Sequence, residues 1–237
     1  GLCLLCSAII SFIAIQLRSV QENNVVLDMQ KKIVSSAGLD EVYGSVENAM
    51  SNIKTLIIDL DRGEIVDINP DTYELSKELR EDGKYKFLSA EEDVASIKKR
   101  EKYSKVYIEY KDNEINTLIL PVRGYGLWGI LYGYLAIEGD FNTVAGLEFY
   151  EHKETPGLGA EIDNPKWKAL WKGKKIYQEN GEVSLKVIKG SVMKTSDNFS
   201  YEIDGLSGAT LTCNGVSNLI AYWMGNDGFL NFINNLQ

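Results

Sequence analysis

Histidine and cysteine are scarce in this chain, with one histidine and three cysteines among 237 residues. Because many protein metal sites draw on these two side chains, the sequence predicts no metal centre. Cys3 and Cys6 are spaced as CxxC, yet both lie in an apolar run without a second cysteine pair, and Cys213 stands alone. Disulfide bonds are therefore not expected to hold this fold.

Positive charge is also in the minority. Lysine and arginine number 25 against 34 aspartates and glutamates, which gives a formal net charge of −9. An acidic surface repels phosphate backbones, so nucleic acid is not expected as a partner. The hydrophobic fraction of 44% is ordinary for a globular protein and argues against a disordered chain.

Charged side chains are missing from the first seventeen residues, Gly1 to Leu17, which are dominated by leucine and isoleucine. A helix of this length spans about 25 Å, slightly less than the roughly 30 Å hydrocarbon core of a bilayer. The alternative is a cleaved signal peptide, but no A-x-A-like site follows before Arg18 and Glu22. We therefore expect a transmembrane anchor over residues 1–20 and one domain over residues 21–237.

Beyond the anchor, the pattern of apolar residues predicts strands and helices that mingle without a βαβ rhythm. This arrangement indicates an α+β fold, a mostly antiparallel sheet with flanking helices, in addition to the one transmembrane helix. The expected elements are a helix over 25–37 ending at Gly38, hairpins over 55–68 and 105–122, strands over 127–137, 147–152 and 183–188, and helices over 165–171, 208–224 and near the C-terminus.

The segment D-G-L-S-G-A-T, from Asp204 to Thr210, precedes one of these helices. Ser207 is a good N-cap residue, which places Thr210 in the first helical turn. Free backbone N–H groups and the helix dipole favour a phosphate there. On spacing alone, however, such a segment is more often an ordinary helix cap.

The segment E-T-P-G-L-G, from Glu154 to Gly159, contains a tight turn at Pro156 and Gly157. Its last glycine allows the backbone to approach another group closely. The loop has the residues to press a flat ring against Leu158, with a hydroxyl from Thr155 beside it. Without other information, an ordinary surface turn is the commoner outcome. The neighbouring His152 is expected to have a structural role.

Together the two segments resemble the signatures of the periplasmic FMN-binding domain family. The first is similar to its flavinylation motif and the second to its loop beside the isoalloxazine. With P-V-R-G-Y-G-L-W-G from Pro121 to Gly129, the chain resembles, over essentially its whole length, the C-type subunits of sodium-translocating NADH:quinone oxidoreductases. A second resemblance, to the G-type subunit of the Rnf ferredoxin:NAD complex, stays open, as does a flavin-binding envelope domain without a respiratory role.

The resemblance implies that Thr210 carries FMN through a phosphoester, and that a flavin transferase attaches it. Among the nearby hydroxyls, Ser207 is expected to be occupied as the N-cap. Thr212 lies about 200° further round the helix, pointing away from the flavin, and Ser217 lies two turns in. The remaining candidates for cofactor binding are Asp204, Ser207, Gly208 and Ala209 in the motif, Glu154, Thr155, Gly157 and Leu158 in the loop, and Lys189 and Trp128 by neighbourhood.

The resemblance also implies an electron carrier inside a larger membrane enzyme, with no catalytic side chain of its own. Other subunits would oxidise NADH and move sodium, and the domain would face the periplasm from the bacterial inner membrane. We expect no dinucleotide-binding turn after a strand, so this chain is not expected to bind NADH.

Overall fold

The computed structural model describes residues 2–237. The helices are α1 Leu2–Ser36, α2 Leu39–Tyr43, α3 Val46–Ser51, α4 Leu75–Glu78, α5 Pro165–Lys168, α6 Thr210–Trp223 and α7 Leu230–Leu236, with short 3-10 turns at Pro70–Thr72, Gly159–Asp163 and Phe199–Tyr201. The strands are β1 Ile53–Asp59, β2 Glu64–Val66, β3 Tyr85–Phe87, β4 Lys99–Glu101, β5 Tyr103–Lys111, β6 Glu114–Tyr125, β7 Ile130–Glu138, β8 Val144–Glu151, β9 Lys186–Val187 and β10 Glu202–Ile203.

A six-stranded sheet in the order β2-β1-β5-β6-β7-β8 forms the centre of the molecule, and all its neighbours pair antiparallel. Strands β3 and β4 make a small antiparallel pair, and β9 and β10 a small parallel pair. The predicted α+β class with a mostly antiparallel sheet is confirmed.

Both predicted hairpins are present, and local turn chemistry explains each. In the first, the Asp59 carboxylate accepts hydrogen bonds from the backbone N–H groups of Asp61 and Arg62, and Gly63 takes a φ of 66°. In the second, Asp112 and Asn113 both adopt positive φ, 53° and 67°. Two such residues in a row are typical of the tight turns that match the twist of paired strands.

Helices cover both faces of the sheet. On one face, the C-terminal part of α1 contributes Ile33 and Val34, which are buried against β5, β6 and β7. On the other face, α6 packs along β6 and buries Val216, Leu219 and Trp223. The sheet therefore has a layer of helices on each side, and α6, the helix that follows the first motif, is set firmly in the core.

Trp223 fastens α6 to β6 at Arg123, whose side chain forms a buried ion pair with Glu101 of β4. The Arg123 guanidinium lies 2.5 Å and 2.8 Å from the two carboxylate oxygens of Glu101, and only 5% and 2% of these residues are exposed. The Trp223 indole donates a 2.7 Å hydrogen bond to the Arg123 carbonyl oxygen. The C-terminal end of α6 thus has a fixed position on β6.

The first helix differs from the prediction because it is continuous. The anchor and the helix expected over 25–37 merge into the 35 residues of α1, which end two residues before Gly38, a left-handed glycine. Within residues 2–237, no helix is found to be both long enough and apolar enough to cross a membrane. Gly1 and several side chains in the first part of α1 lie outside the described part of the chain, so the anchor over residues 1–20 stays a prediction.

Candidate functional site

Thr210 is the first residue of α6, and its side chain is exposed. The N-cap position is held by Ala209, whose methyl group offers no acceptor for the free N–H groups of the first turn. An anion placed here is stabilised by hydrogen bonds from these N–H groups and by the positive end of the helix dipole. The predicted first-turn position of Thr210 agrees with the structure.

The predicted N-cap at Ser207 is wrong. Gly208 adopts a left-handed φ of 73°, and the Ala209 N–H donates a 3.2 Å hydrogen bond to the Leu206 carbonyl. This turn delays the start of the helix until Thr210, two residues later than predicted. Ser207 is consequently exposed in the loop.

The other two serine and threonine hydroxyls on α6 are occupied within the protein. Thr212 is fully buried and donates a short hydrogen bond to Oε2 of Glu154. Ser217 accepts a 2.9 Å bond from the Val187 N–H and donates a 3.0 Å bond to the Cys213 carbonyl. Thr212 therefore points beneath the loop of the second motif, rather than away from the site as predicted.

Glu154 lies below the surface and joins three segments. It is 5% exposed, and its Oε1 accepts 3.0 Å hydrogen bonds from the N–H groups of Leu127 and Trp128, in the turn between β6 and β7. Its Oε2 accepts a hydrogen bond from the hydroxyl of Thr212 on α6. Three donors satisfy the buried carboxylate, which would otherwise be costly to bury.

Residues 155–158 of the second motif are exposed, and the motif touches the first. The side chain of Leu158 is 44% exposed. A Cβ atom added to Gly208 would lie 2.9 Å from Cδ2 of Leu158, so the two motifs are in contact. The carbonyl of Thr155 accepts hydrogen bonds from the N–H groups of Leu158 and Ala160, both at 3.1 Å, and the residue itself is exposed.

Lys189 and Trp128 border the same surface. Lys189 and Thr210 line one small cavity of about 40 Å³, whose wall includes Gly190. The side chain of Trp128 is 61% exposed, beside the backbone held by Glu154. The two residues predicted by neighbourhood alone are therefore adjacent to the two motifs.

Asp204 holds the loop that precedes α6. Its carboxylate accepts a 2.8 Å hydrogen bond from the Val192 N–H, and its carbonyl accepts one of 2.8 Å from the Trp167 indole. The next residue, Gly205, donates to the Gly190 carbonyl at 2.8 Å. Asp204 and Gly205 thus fix the bend after β9, which carries Lys189, beside the start of the helix.

His152 has the structural role that was predicted. Its Nδ1 accepts a 3.1 Å hydrogen bond from the Glu154 N–H, so Nε2 carries the proton and lies 2.8 Å from the Asp163 carboxylate. Across residues 2–237, no three histidine, cysteine or acidic side chains converge as they would around a metal ion.

The expected lack of a dinucleotide fingerprint needs a correction. Gly124, Gly126 and Gly129 do follow a strand with the spacing G-x-G-x-x-G. Their turn, however, joins β6 to the antiparallel strand β7. A dinucleotide-binding turn leads from a strand into a helix, whose N-terminus receives the pyrophosphate. The spacing is therefore present without the structure that gives it this function.

A larger cavity, of about 410 Å³, lies on the opposite face of the sheet, between α1 and side chains that include Tyr107, Tyr134 and Tyr150. No residue of the segments 154–159 and 204–210 lines it. The two motifs instead form an open surface on which a flat apolar ring would meet Leu158, Trp128 and Leu211, all exposed. A phosphate at Thr210 would meet the helix N-terminus and the cation of Lys189, so these residues fit a flavin mononucleotide.

Comparison with known proteins identifies the family of this chain. A family model described as the FMN-binding domain matches residues 126–225, which include both motifs. The C-type subunit of the Na(+)-translocating NADH-quinone reductase of Pseudomonas aeruginosa is 47% identical over 99% of this chain and 92% of its own length. The chain belongs to the family of these C-type subunits. The corresponding protein of Vibrio vulnificus is 42% identical over 98% of this chain and 91% of its own length.

Solved structures of the same family have the same fold. Shewanella oneidensis NqrC matches with a TM-score of 0.79 and 31% identity, over 88% of this chain and 95% of that one. The C-type subunit from Parabacteroides distasonis matches with a TM-score of 0.65 and 28% identity, over 92% and 96%. The resemblance seen in the two motifs is confirmed at the level of the family.

One contact beneath the two motifs is not indicated by the sequence. The bond between Glu154 and Thr212 joins residues 58 positions apart, and neither spacing nor residue type indicates it. A partial signal was Gly159, predicted to allow a close approach: a Cβ added there would lie 2.6 Å from both Oε2 of Glu154 and Oγ1 of Thr212.

Proposed function

We propose that this chain carries electrons within a sodium-translocating NADH:quinone oxidoreductase, through an FMN esterified to Thr210. The observation that carries the proposal is the state of the hydroxyls on α6. Thr210 is exposed at the first helical position, whereas Thr212 is fully buried and Ser217 is hydrogen-bonded to the β9 backbone. The family of the chain supports FMN as the cofactor.

Esterification requires an activated donor. The Thr210 oxygen forms a bond to the FMN phosphorus and loses its proton to a base of the flavin transferase. A flavin dinucleotide supplies the leaving group, because cleavage of its pyrophosphate releases a nucleoside monophosphate. The exposed Thr210 and the loop from Asp204 to Ala209 are the parts of this chain that a transferase would meet.

The surrounding residues have separate tasks toward the bound cofactor. The N–H groups at the start of α6 and the Lys189 ammonium favour the phosphate charge. Leu158 and Trp128 cover apolar ring surface, and the Thr155 hydroxyl is available to its polar edge. The flavin, when bound, supplies reversible electron transfer, while the protein supplies its position and electrostatic environment.

The chain has no part in the other chemistry that the relatives' names describe. Hydride removal from NADH and the movement of sodium are assigned to partner subunits. We further propose that residues 1–20 anchor the chain in the bacterial inner membrane, with the domain in the periplasm. The support for the anchor is the uncharged run from Gly1 to Leu17. Alkaline phosphatase fused after Gln237 should then be active in cells, and activity of a cytoplasm-only reporter would contradict this topology.

Flavin attachment tests the central proposal. Protein co-expressed with a flavin transferase should keep its flavin through acid precipitation and show yellow fluorescence in a denaturing gel. Thr210→Ala should give a folded, colourless protein, because an exposed hydroxyl contributes little to the fold. Thr195→Ala is the matched control, since this exposed threonine lies outside both motifs and should not be needed for the ester.

A further inference from the structure

The carboxylate of Glu154 is enclosed as well as hydrogen-bonded. A Cβ added to Gly126 would lie 2.7 Å from Oε1, and one added to Gly159 would lie 2.6 Å from Oε2. Glycines thus let the backbone close over both oxygens. With 5% of the residue exposed, Glu154 is poorly placed to touch a flavin on the surface.

The partner of Glu154 sits two residues after the proposed attachment point. Thr212 and Thr210 belong to the same helical turn of α6, so a fixed Thr212 also fixes the direction in which Thr210 faces. Glu154 meanwhile begins the loop that carries Leu158, and it holds the backbone of Trp128. All three parts of the surface are therefore tied to one carboxylate.

We infer that Glu154 and Thr212 are positioning residues that align the phosphate-binding end of α6 with the loop that covers the ring. The reason for this alignment, to hold a flavin, rests on the proposed function. In this arrangement Glu154 acts from below, through Thr212 and through two backbone N–H groups. The aligned surface is what a flavin transferase needs to load the chain and what the flavin needs to be held in one orientation.

Thr212→Val tests the link, because valine has the same shape but donates no hydrogen bond. Amide hydrogen exchange of the flavin-free protein should speed up about tenfold or more at Leu158 and Ala160, as expected when a bond to a charged group is lost. The rate at which a flavin transferase loads the variant from flavin dinucleotide should fall at the same time. Thr212→Ser, which keeps the hydroxyl, should restore both.

Ser217→Ala is the control for general damage to α6. It removes a hydroxyl that binds the β9 backbone and should lower the melting temperature while leaving the exchange of the loop and the loading rate unchanged. Should Thr212→Val fail to fold, the double variant Glu154→Gln, Thr212→Val has no unpaired buried charge and must show the same losses.

Two outcomes would overturn the inference: parent-like loop exchange and loading in Thr212→Val, or equal losses in Ser217→Ala. Failure of the proposed function would look different. A wild-type chain without covalent flavin would refute the proposed ester, whereas the hydrogen-exchange comparison would still decide whether Glu154 and Thr212 align the loop with the helix.

Discussion

Gly208 and Gly157 offer a matched pair for measuring the contact between the two motifs. Both have left-handed backbones, with φ of 73° and 76°. A methyl group added at Gly157 would meet nothing within 4 Å, whereas one added at Gly208 would lie 2.9 Å from Cδ2 of Leu158. Alanine at either position bears the same backbone penalty, but only Gly208→Ala must also displace Leu158.

The magnitudes follow from these geometries. A non-glycine residue in the left-handed region costs about 1–2 kcal/mol, and each kcal/mol shifts the melting temperature of a domain of this size by about 2–4 °C. Gly157→Ala should show this loss alone. Gly208→Ala should lower the melting temperature further than Gly157→Ala does. The extra loss is limited, because Leu158 is half-exposed and can move.

Thermal unfolding of the flavin-free protein is the assay, and a double variant completes it. In the background of Leu158→Ala, the difference between Gly208→Ala and Gly157→Ala should disappear, because the side chain in the way has been removed. Equal stability losses for the two glycine variants, or a difference that persists without Leu158, would refute the contact between the motifs.

Three further outcomes are expected. Leu158→Ala should keep the covalent flavin but shift its reduction potential and fluorescence. Burying a leucine fully is worth about 1.5–3 kcal/mol, and Leu158 is partly covered. An unchanged spectrum and potential would show that Leu158 does not contact the ring. Glu101→Ala should destabilise the domain by about 3–5 kcal/mol in denaturant unfolding, because it leaves the buried Arg123 unpaired; a loss below about 1 kcal/mol would show that water reaches the pair. Although burial raises the pKa of Asp140, hydrogen bonds led by those from Thr143 bring it down to about 2. The stability that ionised Asp140 contributes is complete above its unfolded pKa of about 3.9 and is lost as pH falls toward about 2. Asp140→Asn should therefore weaken the fall in unfolding free energy at acid pH. The same pH dependence of stability in the variant and the parent would contradict this.

Local chemistry made much of the fold predictable. The hairpin turns carry residues that tolerate positive φ, such as Gly63 and Asn113, and the strands beside them are rich in isoleucine and valine. The alternation of strands and helices without βαβ units was enough for the α+β class. What the sequence did not supply is the order of the strands, since antiparallel pairing between distant segments depends on long-range packing.

The errors at the site have a common physical cause. Ser207 has the residue type of an N-cap, but the left-handed turn at Gly208 shifts the helix start, and no propensity predicts that shift. The strand expected over 183–188 shrinks to Lys186–Val187, because its pairing partner β10 has only two residues. Glu154 was predicted to bind the cofactor, and its burial could not be predicted because its donors come from segments far away in the chain.

The most direct measurement of the central claim is peptide mass spectrometry of the wild-type protein after co-expression with a flavin transferase. We predict that the mass added by FMN, less one water, is found on the peptide containing Thr210 and that fragmentation places it on that residue. Modification of Ser207 or Thr212 instead, or covalent flavin that persists in Thr210→Ala, would contradict this assignment.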